Sequence, residues 1–246
     1  MSGSASPPVP PLSSQVPTAA ILFFIGTIVL NATTDVIAKT LVLQGMSAPF
    51  LIWARYVVQL LAVAVYFRVW RTPTCYRTDR WALHAVRGIM LALAGIFAYS
   101  ALRYLQLFEF ISIVFTLPAF TVLVGHLVLK EHVERRRWGA VAAGLIGVLF
   151  ITRPGFGVLN LGHLLAFGAM GAYCAFMLLT RVMGRTESTE ALMFVPAVVV
   201  LVALVPVVPG QSVAGYPLWV WALVSSLGML GTVAHLLMVR AYQLAP

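Results

Sequence analysis

The chain has 246 residues, 61% of them apolar and 9% charged, whereas an ordinary soluble domain has about 25% charged residues. That balance excludes a water-soluble globule, a disordered chain and a nucleic-acid-binding module. The net charge of +9, from 16 Lys and Arg against 7 Asp and Glu, must therefore be read against a lipid bilayer before any polyanion is considered.

The first 17 residues are rich in Pro and Ser and carry no charged side chain. They predict a short disordered cytosolic tail, since a secretory signal would have a basic start. The apolar runs that follow predict spans at 18–42, 48–68, 82–103, 107–129, 137–152, 160–181, 189–208 and 216–239. A bilayer core of about 30 Å needs ~20 such residues per helix, so the expected fold is all-α integral membrane with about eight transmembrane helices. The six tryptophans fall mostly near span ends, where an amphipathic ring suits the headgroup layer.

With the tail inside, the cytoplasmic loops hold eleven Lys and Arg, and the outer loops hold only Arg103 and Arg153. A bias of that size sets orientation, so the basic charge reports topology: a multi-pass protein of the plasma or bacterial inner membrane with a cytoplasmic N-terminus. The remaining cations, Lys39, Arg55 and Arg87, lie inside spans.

In the first span, Asn31, Asp35 and Lys39 recur every four residues and share one helix face. Asp35 precedes Lys39 in the favourable i,i+4 order for an ion pair. Arg55 lies about 10 Å below the outer end of span two at 1.5 Å per residue, near the depth of both, so a cluster of the three is expected. Charge inside a membrane is costly, which points either to a lined pathway or to a structural lock between helices one and two.

Arg87 sits near the inner end of span three, where it is expected to snorkel to the headgroups, with a substrate role as the alternative. Glu109 reads as a mouth residue or a plain helix-start acid. Pro118 and Pro196 are expected to bend their spans by freeing a carbonyl. Tyr99 and Tyr104 are candidates for cavity walls, and His235 for an interior hydrogen bond or a proton carrier. Gly139, Gly144, Gly147, Gly168 and Gly171 suggest close helix packing. Cys75 and Cys174 show neither a disulfide framework nor metal-ligand spacing. No catalytic residue, metal or cofactor is expected.

Comparing the chain with itself at an offset of 140 places Gly88 on Gly228 and Ala101 on Ala241, and an offset of 141 aligns residues 47–53 with 188–194. This predicts a five-helix unit at 18–153 followed by a second at 160–246 that stops after three helices. Five is odd, so the second copy is inverted, as in many transporters.

The segments TDVIAKTL (34–41), IWARY (52–56), HAVRG (84–88), IVFTLPAF (113–120), LKEHVERRRWGAV (129–141) and GLIGVLFITRPG (144–155) resemble the EamA-type carriers of the drug/metabolite transporter superfamily. The closing YQLAP is similar to the turn that ends the equivalent part of the second repeat. The resemblance implies a ten-helix pattern, of which this chain would lack the last two, and a site shared between both repeats.

The function expected is secondary transport of a small polar metabolite, amino-acid-like or anionic-cofactor-like, by alternating access. The basic pair Lys39 and Arg55 tilts the reading toward carboxylate or phosphate substrates. The alternative is a truncated non-transporting fragment or accessory subunit. An enzyme is disfavoured because the five histidines are dispersed and no HExxH or Walker sequence occurs. The partners implied are the bilayer and a small-molecule substrate, with proton coupling and a homodimer left open and no nucleic acid.

Overall fold

A computed structural model describes residues 17–129, 138–139, 141–143, 146–147, 160–206 and 215–244. The helices are α1 (Thr18–Leu43), α2 (Ala48–Tyr66), α3 (Trp81–Ala101), α4 (Leu107–Val114), α5 (Leu117–Leu129), α6 (Leu161–Met183), α7 (Thr189–Leu204) and α8 (Leu218–Leu244), with a 3-10 turn at Pro73–Cys75. Among the described residues there is no strand, as a lipid solvent demands of a chain that does not close into a barrel. Among the described residues six stretches are long and apolar enough to cross a membrane, with residues 107–127 counted as one, while α7 is shorter at 16 residues. The expected span 137–152 falls largely outside the described residues.

Two ends of the bundle are defined by its turns. The upper end carries the 44–47 and 102–106 turns; the lower end carries the 67–80 connection and the 184–188 turn. At the upper end Gly45 adopts a φ of 93°, a left-handed conformation that suits glycine and lets α1 reverse into α2. Gln106 and Glu109 form a capping box on α4, and Ser188 caps α7 by accepting from the Ala191 N–H at 3.1 Å.

The fourth expected span is divided. Residues 115–116 form a turn between α4 and α5, and Pro118 is the second residue of α5. Proline there has no N–H to return to the Val114 carbonyl, so the first helix stops and the second starts. Pro118 thus ends a helix where a bend within one was expected.

α1 packs chiefly on α8, and α6 on α3; α2 also packs on α8, and α7 on α3. Two glycines make the close approaches. A Cβ on Gly88 of α3 would stand 2.6 Å from Val199 Cβ and 3.3 Å from the Pro196 carbonyl of α7. One on Gly228 of α8 would overlap Val58 and stand 3.1 Å from the Arg55 carbonyl of α2. An offset of 140 to 141 residues converts one contact into the other. The glycines expected to pack contribute less: Gly168 meets the Phe97 ring, while a Cβ on Gly139, Gly147 or Gly171 would meet nothing among the described residues. Gly144 lies outside them.

Candidate functional site

The helices leave a cavity of about 140 Å³ in the upper half of the bundle, between α1, α2, α3, α6 and the junction of α4 with α5. Its walls include Asn31, Thr34 and Asp35 from α1, Arg55 and Tyr56 from α2, Tyr99 from α3, and Tyr173 from α6. Leu91, Phe110, Val114, Leu117 and Met170 are among its apolar lining. The broken fourth span therefore meets the cavity at its break, where freed backbone is tolerated because it lines a polar space.

Arg55 donates from Nη1 to the Tyr99 hydroxyl at 3.0 Å and lies 5.8 Å from the centroid of the Tyr56 ring. Its Nε is buried with no hydrogen-bond partner. The guanidinium rests on Gly231 of α8, where a Cβ would stand 2.5 Å from Nε and 2.6 Å from Nη2. Any larger residue there would displace it. Asp35 reaches no cation within ion-pair distance: among the described residues the ion pair found is His84 with Glu187, at 3.4 Å. The Asp35 carboxylate and the Arg55 guanidinium thus share one cavity without touching. Asn31 donates from Nδ2 to the Tyr173 hydroxyl at 3.5 Å, a long contact.

Below the cavity lies a second polar assembly. Arg87 is fully buried, so the expected snorkelling does not occur. Its Nε donates to Thr180 Oγ1 at 2.8 Å, Nη1 to the Leu192 carbonyl at 2.7 Å, and Nη2 to His235 Nε2 at 3.1 Å. The Phe176 ring lies 4.8 Å from the guanidinium carbon. The Leu192 carbonyl is available because Pro196, four residues on in α7, has no N–H to bond it. Arg87 takes up the acceptor that the proline leaves unused.

The histidine tautomer follows from the same contacts. An arginine only donates, so His235 Nε2 accepts and Nδ1 carries the hydrogen. The Gln59 amide lies 3.1 Å from Nδ1 and therefore presents its oxygen there, an assignment made from the network. Arg87, Gln59, His235, Thr180 and the Leu192 carbonyl join α2, α3, α6, α7 and α8. At the lower end Glu187 accepts from Thr78 Oγ1 at 3.1 Å and meets His84, and Arg80 donates to Thr186 at 3.1 Å.

Other expectations are corrected. Lys39 forms no pair with Asp35; its Nζ donates to the Leu105 carbonyl at 2.7 Å, securing α1 to the 102–106 turn. Tyr104 is 53% exposed and lines no part of the cavity. Glu109 accepts from the Gln106 N–H at 2.8 Å, the role of a helix-start acid. Trp53 stacks on Phe50 and Trp221 meets the same ring edge-on, so these two pack against the core. Tyr56, Tyr173, Gln59, Thr180 and Gly231 were not singled out by sequence. Helical spacing does place Gln59 four residues from Arg55 on an apolar helix, a signal that could have found it. Among the described residues no group of His, Cys, Asp and Glu could hold a metal.

An all-α, membrane-spanning bundle with an opposed carboxylate and guanidinium around a cavity at a helix break has the architecture of a small-molecule carrier. Residues 18–153 match the EamA-like transporter family, and the chain belongs to that family. It is 25% identical over 210 residues to a riboflavin transporter of Vibrio cholerae, covering 82% of this chain and 68% of that protein. It is 31% identical over 132 residues to a riboflavin transporter of Rhizobium johnstonii, covering 53% and 42%. An S-adenosylmethionine uptake transporter of Rickettsia prowazekii is 22% identical over 189 residues, covering 76% and 63%. A solved crystal structure superposes with a TM-score of 0.67 at 17% identity, covering 92% of this chain and 80% of the other, a likeness of fold. The family and these relatives point to a transporter of small metabolites rather than an enzyme.

Proposed function

We propose that the chain is a secondary carrier that moves a small organic metabolite across a cell membrane by alternating access, with the Asp35–Arg55 cavity as its substrate site. One observation carries the reading. Asp35 and Arg55 lie in membrane-spanning helices and face one cavity without forming an ion pair among the described residues. Opposite charges held apart in a low-dielectric interior are costly to retain, and a passing substrate offsets that cost by bridging them.

The polar assembly around Arg87 and the stitched lower loops seal the side away from the cavity. By the distribution of Lys and Arg that side faces the cytosol, so this conformation is closed inward. Opening inward requires α3 and α8 to separate at the Arg87–His235 contact. The driving force is the substrate gradient or a proton gradient.

The test is flux into vesicles reconstituted with the purified chain, using radiolabelled riboflavin and S-adenosylmethionine as probes. Saturable uptake is expected for at least one, lost in Asp35→Asn and Arg55→Gln while both variants still insert into the membrane. Equal flux in empty and loaded vesicles, or unchanged flux in both variants, would sink the proposal.

A further inference from the structure

The polar seal at the lower end has a counterpart in the upper half of the bundle, and the counterpart is apolar. The repeat supplies the pairing. An offset of 140 relates Gln44 to Gly184, the residues that end α1 and α6, and Gly88 of α3 to Gly228 of α8. An offset of 141 relates Ser47 to Ser188, the residues that precede α2 and α7. The close contacts obey both offsets, since Gly88 meets Val199 and the Pro196 carbonyl while Gly228 meets Val58 and the Arg55 carbonyl. Helix α3 starts at the lower end and α8 at the upper, so exchanging the two units exchanges the two ends.

Carried through these offsets, the Arg87 assembly loses nearly all of its hydrogen-bonding chemistry. Arg87 falls on Leu227, His235 on Gly95 and Gln59 on Val200. The Leu192 carbonyl falls on that of Leu51, and Pro196 falls on Arg55, whose backbone N–H serves the Leu51 carbonyl within α2 and leaves no acceptor free. Thr180 falls on Thr40, which is exposed and donates to the Val36 carbonyl of its own helix at 3.1 Å. Phe176, whose ring lies 4.8 Å from the Arg87 guanidinium carbon, falls on Val36. Beneath the Arg87 layer, Val63, Met183, Leu192, Met193 and Val239 form an apolar plug of their own.

In an inverted repeat that works by alternating access, the two units exchange shapes, so upper contacts close as lower ones open. Opening the lower end takes from Arg87 its acceptors on α6, α7 and α8. Closing the upper end joins Leu227, Gly95 and Val200, whose side chains return no hydrogen bond. Water entering the lower opening hydrates the guanidinium in part. Even so, the net worth of one hydrogen bond to a charged group shifts an equilibrium by about tenfold or more.

We infer, on the reading that the chain is an alternating-access carrier, that its two gates are unequal: the bundle rests closed at the lower end, held by Arg87, and opening there is the uphill half of each cycle.

The test follows a cysteine placed in the plug, Val239→Cys, one turn below His235. The purified chain in nanodiscs is exposed to a water-soluble maleimide, and labelling is read site by site by mass spectrometry. In the otherwise native chain the new thiol should label at least about tenfold more slowly than after denaturation. Arg87→Leu, which installs the residue found at the upper counterpart, should raise its rate at least about tenfold, and the near-isosteric Thr180→Val should raise it roughly threefold or more even if Arg87→Leu fails to insert. Thr40→Val, the same change at the upper counterpart, should leave the rate within about twofold. Cys174, buried in α6 beside Thr121 of α5, is the internal control and should keep its protection throughout.

Fast labelling in the native background, an unchanged rate in Thr180→Val, an equal rise in Thr40→Val, or Cys174 labelling that rises in step would each overturn the inference. Saturable substrate flux into vesicles alongside any of these results would leave the carrier reading standing and remove only the inequality of the gates. The expected labelling pattern without flux for any probe would instead count against the carrier reading.

Discussion

The contact between Arg87 and the Leu192 carbonyl makes a prediction whose sign is set by backbone chemistry. In Arg87→Met the side chain still fills apolar space, but the Leu192 carbonyl loses the Nη1 donor at 2.7 Å and has no helical N–H to turn to, because residue 196 is proline. A buried orphan carbonyl costs about 1–3 kcal/mol. Removing a cation that has no carboxylate partner returns part of this, so the single variant alone decides little. Pro196→Ala supplies an N–H to that same carbonyl. In the native background the gain is small, since Arg87 already bonds it. In the Arg87→Met background the new N–H satisfies the orphan. The two changes should therefore couple favourably by about 1–2 kcal/mol in a double-mutant cycle, measured by reversible unfolding in mixed micelles. Additivity within ~0.5 kcal/mol, or further loss on adding Pro196→Ala to Arg87→Met, would refute the assignment of Pro196 as the source of Arg87's acceptor.

Two more outcomes follow from local geometry. Gly231→Ala meets only the far end of a flexible Arg55 side chain, so it should cost less than about 1 kcal/mol while reducing substrate binding at least severalfold. Gly228→Ala meets the branch point of Val58 and the Arg55 carbonyl and should destabilise by about 1–3 kcal/mol; equal stability losses for the two variants would contradict this. Cys75 is fully buried in the 3-10 turn. Burial first, and the nearby Glu190 carboxylate second, push its thiol pKa above the ordinary value. At neutral pH it should label with maleimide at least tenfold more slowly in the folded chain than after denaturation, a test of the lower-loop packing that comparable rates would fail.

The helices were legible because lipid forces each apolar run to satisfy its own backbone, so length and hydrophobicity suffice. The break after Val114 was only partly so: Pro118 announced a disturbance, but whether a proline bends a helix or ends it depends on what covers the freed carbonyl. Asp35 and Arg55 stood out because charges in apolar runs are rare and expensive. Lys39 stood out for the same reason and was misassigned, since helical spacing favours a pair with Asp35 while the Leu105 carbonyl, 66 residues away, is invisible to periodicity. Arg87 failed similarly. Its depth of about 9 Å from the start of α3 allows snorkelling, and the acceptors that hold it instead come from α6, α7 and α8. Tyr173 and Thr180 carry ordinary residue types at ordinary spacing, and only tertiary packing gives them a role.

Those acceptors also impose an order in time. Thr180, Leu192 and His235 lie 93, 105 and 148 residues after Arg87, so α3 is synthesised before any of them exists. A nascent chain that has delivered only its first three spans holds a cation in the bilayer that nothing yet satisfies. The interface near the lower end is within reach of such a side chain. The full set of Arg87 contacts therefore requires α6, α7 and α8 to be in place.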